Sequence, residues 1–204
     1  MTALKDRLRR VKFIVCDIDG VLTDGSIPFD GEGRPFRTFH VRDVTAMTLW
    51  RLAGGKCAII SGLGSKAVEA VAKTWKLTET HLWVRNKQRV CIEMAKRHGL
   101  ALEELAFLGD DLIDMRVMRV VGLAVAVSDA APEIREIAHL VTEARGGHGA
   151  LRELVIIRIA LLNNAPYEAD QHVPIALREG ATKAQVDALA DWQDSALFSP
   201  RERA

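Results

Sequence analysis

Short apolar runs alternate with amphipathic stretches along most of the chain. Phe13-Ile14-Val15-Cys16 is continuously apolar, opened by Lys12 and closed by acids and glycines. That pattern predicts a parallel strand buried on both faces. Similar runs predict strands over 57–60, 81–84, 105–108, 123–127 and 140–141. Helix-period stretches lie between them, over 44–52, 65–76, 87–98 and 112–120. Gly54-Gly55 and Gly99 stop two of these helices. Pro132, at a favoured first-turn position, starts another, and 149–162 predicts the last core helix. Residues 26–40 read as a hairpin turning at Asp30-Gly31-Glu32-Gly33.

Repeated strand-helix units predict an α/β fold: a doubly wound, mostly parallel, Rossmann-like sheet with a β-hairpin insertion after the first strand. Composition changes after Asn163-Asn164-Ala165-Pro166. This divides a domain at 1–163 from a C-terminal tail at 164–204. Thr182 and Gln185 have capping-box spacing ahead of Val186, Leu189 and Trp192, so the tail carries a helix. Two placements are open for it: packed on its own domain, or reaching a neighbouring subunit.

Bulk composition narrows the function classes. The 204 residues are 49% hydrophobic, enough for one real core. A net charge of +1 gives no strong pull toward nucleic acid or membrane, and neither is expected as a partner. The basic cluster Lys5, Arg7, Arg9, Arg10, Lys12 reads as a solvated surface ahead of the first strand. Cys16, Cys57 and Cys91 are odd in number, have no zinc spacing and sit in apolar contexts. They read as buried, reduced thiols of a cytoplasmic protein. The apolar run at 154–162 is too short for a bilayer and contains Arg158. The basic start of the chain leads into too short an apolar stretch for a secretory signal.

Chemistry gathers at the strand ends. Asp17 and Asp19, two residues apart, point the same way from an extended segment, and such paired charges call for a cation or a shared proton. Ser61-Gly62, Lys87 and Asp110-Asp111 follow later strands, and a doubly wound sheet brings such ends to one edge. Acids, a hydroxyl and a lysine suit phosphoryl transfer from a monoester. A carboxylate attacks phosphorus, a cation offsets the repulsion, a lysine and a hydroxyl hold the phosphoryl oxygens, and a second carboxyl handles the proton. Oxygen ligands without Cys or His favour Mg2+. Each fragment alone has a bland reading as a turn, a helix cap or a surface lysine. The four in this order are specific.

From 12 to 162 the chain resembles the haloacid dehalogenase superfamily of phosphatases and, within it, the 3-deoxy-D-manno-octulosonate-8-phosphate phosphatase family. The resemblance runs through Asp17 to Gly25, Val41-Arg42-Asp43, Asn86-Lys87, Gly109-Asp110-Asp111-Leu112-Ile113-Asp114 and Gly146-Gly147-His148-Gly149-Ala150. It implies that Asp17 is nucleophile and metal ligand. It implies that Asp19 is the acid/base and gives a backbone carbonyl to the metal. Ser61, Gly62 and Lys87 would hold the phosphoryl group, and Asp110 would be a metal ligand. Asp111 and Asp114 would be supporting residues, Asp111 through the metal waters or Lys87. His40, Arg42 and Asp43 would lie on the substrate side. It further implies a homotetramer built through the hairpin and a small phosphorylated sugar or sugar acid as substrate. Asp17 to Ser61 spans 44 residues and Ser61 to Lys87 spans 26, which leaves no room for a cap domain. Without a lid, a neighbouring subunit has to shield the site from water.

The chain departs from that family where arginines are expected, at Thr48, Leu63 and Val71, and has Val44 where a glycine is usual. A sugar-acid carboxylate would use such arginines. The same chemistry on another phosphomonoester is therefore an alternative, as is a non-catalytic oligomeric or regulatory domain. A phosphorelay receiver fits poorly, since its acids are distributed differently among the strands.

Overall fold

Strand β1 (Phe13–Cys16) lies inside a six-stranded sheet of order β3-β2-β1-β4-β5-β6, with every pairing parallel. The other strands are β2 (Lys56–Ile60), β3 (Glu79–His81), β4 (Leu105–Gly109), β5 (Leu123–Ala126) and β6 (Leu140–Val141). This computed structural model describes the backbone of residues 2–162 and the side chains of residues 4–161. The expected tail at 164–204, with its capping box, lies outside them.

Helices flank the sheet: α1 (Thr2–Arg10), α2 (Val41–Leu52), α3 (Lys66–Thr74), α4 (Lys87–Arg97), α5 (Met115–Met118), α6 (Pro132–Ile137) and α7 (Ala150–Leu162). The expected doubly wound α/β architecture is present. Every side chain of β1, β4 and β5 is buried, which explains their uninterrupted apolar sequences. Each large aliphatic chain so buried contributes about 1.5–3 kcal/mol. Cys16, Cys57 and Cys91 are free and buried, as read from the sequence.

Strand order reverses at β1. From it the chain moves one way through β2 and β3, then returns to place β4 on its other side. The β1/β4 crevice is therefore the topological switch point, where open α/β sheets bind ligands beyond the carboxyl ends of the strands. Asp17 N donates to Leu108 O at 3.0 Å, extending the β1/β4 pairing by one residue and fixing where Asp17 emerges.

The structure differs locally in three places. The hairpin keeps its turn but only one antiparallel bridge, Phe29 to Pro35. Pro28 and Pro35 lack the N–H groups a ladder needs, while Asp30 Oδ1 accepts from Glu32 N and Arg34 N and holds the turn. Most of the basic N-terminal segment forms helix α1, an element without a sequence prediction, while its five cations are exposed, as read. Two of them reach distant parts of the domain: Arg7 donates to Gly122 O, and Lys12 pairs with Glu104. The helix expected over 112–120 is split into a 3-10 turn at Leu112–Asp114 followed by α5.

Candidate active site

Asp17 leaves the end of β1 with both carboxylate oxygens engaged. Oδ1 accepts from Ile18 N at 2.7 Å, and Oδ2 accepts from Lys87 Nζ at 2.5 Å. Lys87 is the first residue of α4, placed there by the Asn86 cap, whose Oδ1 accepts from Arg89 N at 3.0 Å. Its ammonium also donates to Asp114 Oδ1 at 2.7 Å. Burial alone would lower the Lys87 pKa. The Asp114 and Asp17 carboxylates outweigh it and leave the pKa raised, so the group stays a cation.

The acids are crowded. Asp17, Asp110 and Asp114 each offer a carboxylate oxygen within 4.8 Å of the others. Burial first, and then the Asp114 charge, push Asp17 up to about 6, with Lys87 pulling the other way. Burial, Asp114 and Asp17 push Asp110 up to about 7. Asp110 Oδ1 is buried without a hydrogen-bond partner among the described residues. A buried orphan oxygen beside like charges is a donor set that fits a hard divalent cation. Asp114 is less available for that role, because Oδ1 takes Lys87 and Oδ2 takes Asp110 N at 3.2 Å. The main-chain carbonyl of Asp19 accepts no hydrogen bond among the described residues, leaving it open as a further ligand.

Glycine makes this packing possible. Gly20 has φ +87°, and a Cβ there would lie 2.0 Å from Asp110 Oδ2. Thr23 ties the loop that carries it: Oγ1 accepts from Gly20 N and Gly25 N, both at 3.3 Å, and donates to Ile18 O. Gly147 N donates to Val21 O from the far end of the domain, and Gly146 packs onto Gly20 O.

A cleft of about 240 Å³ opens above these groups, lined by Asp17, Asp19, Ser61, Asp110, Leu63 and Ile113 among others. Ser61 is buried at the end of β2, with Oγ accepting from Leu63 N at 3.1 Å. Gly62 and Asp111 also line the cleft. The residues expected from the four strand ends are thus brought together. Of the two supporting roles implied for Asp111, through metal waters or through Lys87, the second is absent. Asp111 does not reach Lys87, and its Oδ1 instead caps the 3-10 turn through Leu112 N at 2.7 Å. Asp114 is the residue that holds the lysine.

The expected substrate-side segment lies elsewhere within the chain. Asp43 is buried and accepts from Gly149 N and Arg152 N, both at 3.1 Å, which caps the start of α7. His40 caps α2, accepting from Arg42 N at 3.2 Å, and Arg42 is exposed. None of the three lines the cleft. One residue with no sequence signal does reach the site. Arg37 grips Asp19 with two hydrogen bonds, of 2.6 and 3.0 Å.

Comparison with known proteins follows this geometry. The family model described as haloacid dehalogenase-like hydrolase matches residues 57–154. The chain is 36% identical over 148 residues to the 3-deoxy-D-manno-octulosonate 8-phosphate phosphatase KdsC of Yersinia pestis, covering 72% of this chain and 79% of that protein. The chain belongs to the haloacid dehalogenase-like hydrolases. With phosphatases as its relatives, this hydrolase is an enzyme of the phosphoric monoester class. Among solved structures, it aligns at TM-score 0.78 with a 3-deoxy-D-manno-octulosonate 8-phosphate phosphatase from Moraxella catarrhalis, in complex with magnesium ion, phosphate ion and KDO. That match has 27% identity and covers 85% of this chain and 98% of that one. A probable YrbI family phosphatase from Pseudomonas syringae also aligns at 0.78, with 36% identity, over 86% of this chain and 98% of that one.

A second family model, described as carboxymuconolactone decarboxylase family, matches residues 134–204 of the hydrolase. The two matches share 134–154, which form the end of α6, β6 and the start of α7. Of the remainder of the second match, 155–162 completes α7 and 163–204 lies outside the described residues. Among the described residues no helix is long and apolar enough to cross a membrane.

Proposed function

We propose that this hydrolase is a Mg2+-dependent phosphomonoesterase acting through an aspartyl-phosphate on a phosphorylated sugar or sugar acid. The observation that carries this reading is the Asp17–Lys87–Asp114 relay beside the unpartnered Asp110 oxygen, at the switch point of the sheet. The substrate class draws on the named phosphatase relatives. Asp17, Asp110 and the Asp19 carbonyl would hold the cation, whose contribution is to offset charge between carboxylate and phosphate and to orient their oxygens.

The protein residues act in two displacements. Asp17 attacks phosphorus, and the ester P–O bond breaks as the leaving oxygen takes a proton from Asp19. Asp19, now a carboxylate, takes a proton from water as the water oxygen attacks phosphorus. The Asp17–phosphorus bond then breaks and phosphate departs. Lys87 neutralises phosphoryl oxygens from below, and Ser61 Oγ with the backbone at Gly62 holds them from the side.

Two finer elements belong to the same reading. The exposed Phe29 and Phe36 of the 26–40 segment would be buried in a homotetramer, which would also cover the open cleft. Residues 1–163 would form the phosphatase domain and 164–204 an appended segment, in line with the unit Met1–Leu161. A second substrate reading is favoured by Leu63, which lines the cleft and is half exposed where the related sugar-acid phosphatases are expected to carry an arginine. A different phosphomonoester, with a less anionic leaving group, suits that rim.

The test is turnover of an aryl phosphate and of 3-deoxy-D-manno-octulosonate 8-phosphate by magnesium-loaded protein, beside Asp17→Asn. Wild-type turnover is expected on both, with a loss of roughly 10³-fold or more in the variant. Folded, magnesium-loaded protein without turnover would refute the reading. Equal kcat/KM for the octulosonate and simple hexose phosphates would favour the second substrate class.

A further inference from the structure

Among the described residues, Asp19 is the strand-end acid whose carboxylate is held from outside the sheet and its helices. Asp17 is held by Ile18 N and Lys87, and Asp114 by Lys87 and Asp110 N. Asp111 caps its own turn. Asp19 follows β1 in an irregular stretch, and among the described residues its carboxylate bonds to Arg37 alone. Nε of Arg37 donates to Oδ1 at 2.6 Å and Nη2 to Oδ2 at 3.0 Å. This two-point fork fixes the carboxylate plane as well as its position, which a lysine could not do.

The Arg37 side chain is only 6% exposed, against 19% for Asp19. Asp19 lines the cleft and Arg37 does not, so the guanidinium grips the acid from outside the reaction space. Arg37 itself comes from the 26–40 segment, far from the sheet in chain order, braced by Phe36 N donating to Pro28 O at 3.0 Å. A guanidinium buried this deeply costs stability unless a planar acceptor meets it, and Asp19 is that acceptor.

We propose that Arg37 is a positioning residue that aims Asp19 at the leaving oxygen of the substrate. The proposal rests on the reading of Asp19 as the group that protonates that oxygen. When Asp19 carries the proton on one oxygen, its carbonyl oxygen still accepts from the guanidinium, so one point of the fork is kept through the proton transfer. The established fold supplies the nucleophile and the acid cluster. The 26–40 segment supplies the orientation of the acid.

Leaving-group dependence tests this, because a merely structural ion pair would lower activity on all esters alike. A nitrophenyl phosphate expels a stable anion that needs no proton, whereas an alkyl phosphate needs one. The quantity is kcat/KM, which covers every step through departure of the leaving group. Arg37→Met is expected to lose on the order of 10²-fold on the alkyl ester and less than about tenfold on the nitrophenyl ester. Arg37→Lys, which keeps the charge and one hydrogen bond, is expected to recover part of the alkyl-ester loss and acts as the control should Arg37→Met fold poorly. Equal losses on the two esters, or none, in the folded variants overturn the proposal. Asp19→Asn is measured in parallel. If it shows the leaving-group pattern while the Arg37 variants do not, only the positioning role falls. If Asp19→Asn itself lacks the pattern, the acid role of Asp19 falls and takes the proposal with it.

Discussion

Asp114 Oδ1 accepts from Lys87 Nζ at 2.7 Å, and this bond, between two side chains almost fully buried, sets where the lysine charge points. Without Asp114, the ammonium would face Asp17 alone and hold its carboxylate more tightly. Asp114→Asn is therefore expected to lower kcat by about 10–100-fold, the usual effect of removing a group that orients an active-site residue. KM should change little. Steady-state kinetics on an aryl phosphate with saturating magnesium checks this, and a wild-type kcat would show that Lys87 needs no second carboxylate.

Asp110 gives the chain a characteristic pH response when no cation is bound. Its folded pKa of about 7 lies above the ordinary carboxylate value of 3.8. A raised acid favours the folded state below the unfolded pKa, and that contribution is lost as pH rises through the folded pKa. In chelator, wild-type Tm should therefore fall between about pH 4 and pH 7 relative to Asp110→Asn. The variant should be the more stable of the two at pH 7.5 and lose that advantage near pH 4.5. Asp17, raised to about 6, acts in the same direction in both proteins. Magnesium should raise the wild-type Tm at neutral pH and have a smaller effect on the variant. Parallel pH curves for the two proteins in chelator would contradict the assignment.

Gly20 sits where a side chain would strike the acid cluster. Gly20→Ala places a Cβ 2.0 Å from Asp110 Oδ2 in a backbone region that costs a non-glycine residue about 1–3 kcal/mol. The expected result is a lower Tm and a magnesium requirement shifted upward by about tenfold or more. Metal titration followed by activity, with Tm on the same samples, reads both effects. An unshifted requirement would mean that the loop relaxes away from Asp110.

Asp43 separates two roles. As the cap of α7, Asp43→Ala leaves Gly149 N and Arg152 N without their acceptor and should cost about 1–3 kcal/mol in denaturant unfolding. The kcat/KM of the folded variant should equal that of wild type. A large KM increase at unchanged stability would return Asp43 to the substrate side, through a neighbouring subunit.

Much of this was legible in the chain itself, because buried parallel strands write themselves as unbroken apolar runs. Phe13-Ile14-Val15-Cys16 and Leu105-Ala106-Phe107-Leu108 were readable for that reason, and the acids that follow them fell where a switch point puts them. The third strand lies at Glu79–His81, not at the expected 81–84. Leu82 and Trp83 attract the assignment, yet Trp83 turns the chain with φ +56°, and the edge strand is the polar run before it. Asp114 was seen only as a supporting residue, because no spacing rule says that a 3-10 turn will aim it at Lys87. Arg37 was invisible for a similar reason. Its partner is eighteen positions away, across a segment with no periodic pattern. The resemblance implies a substrate-side place for Asp43, and no sequence pattern shows that its carboxylate also caps α7, because those backbone partners lie more than a hundred positions on.

The pairing of Asp17 N with Leu108 O joins residues separated by most of a domain. Every local element, including each helix, could form while β1 and β4 were still apart. The acid cluster would not exist at that stage, because its members arrive on different strands. The acid cluster of this hydrolase thus depends on a long-range closure of the sheet, the pairing of β1 with β4. A fragment ending before β4 would lack the cluster however well its helices formed.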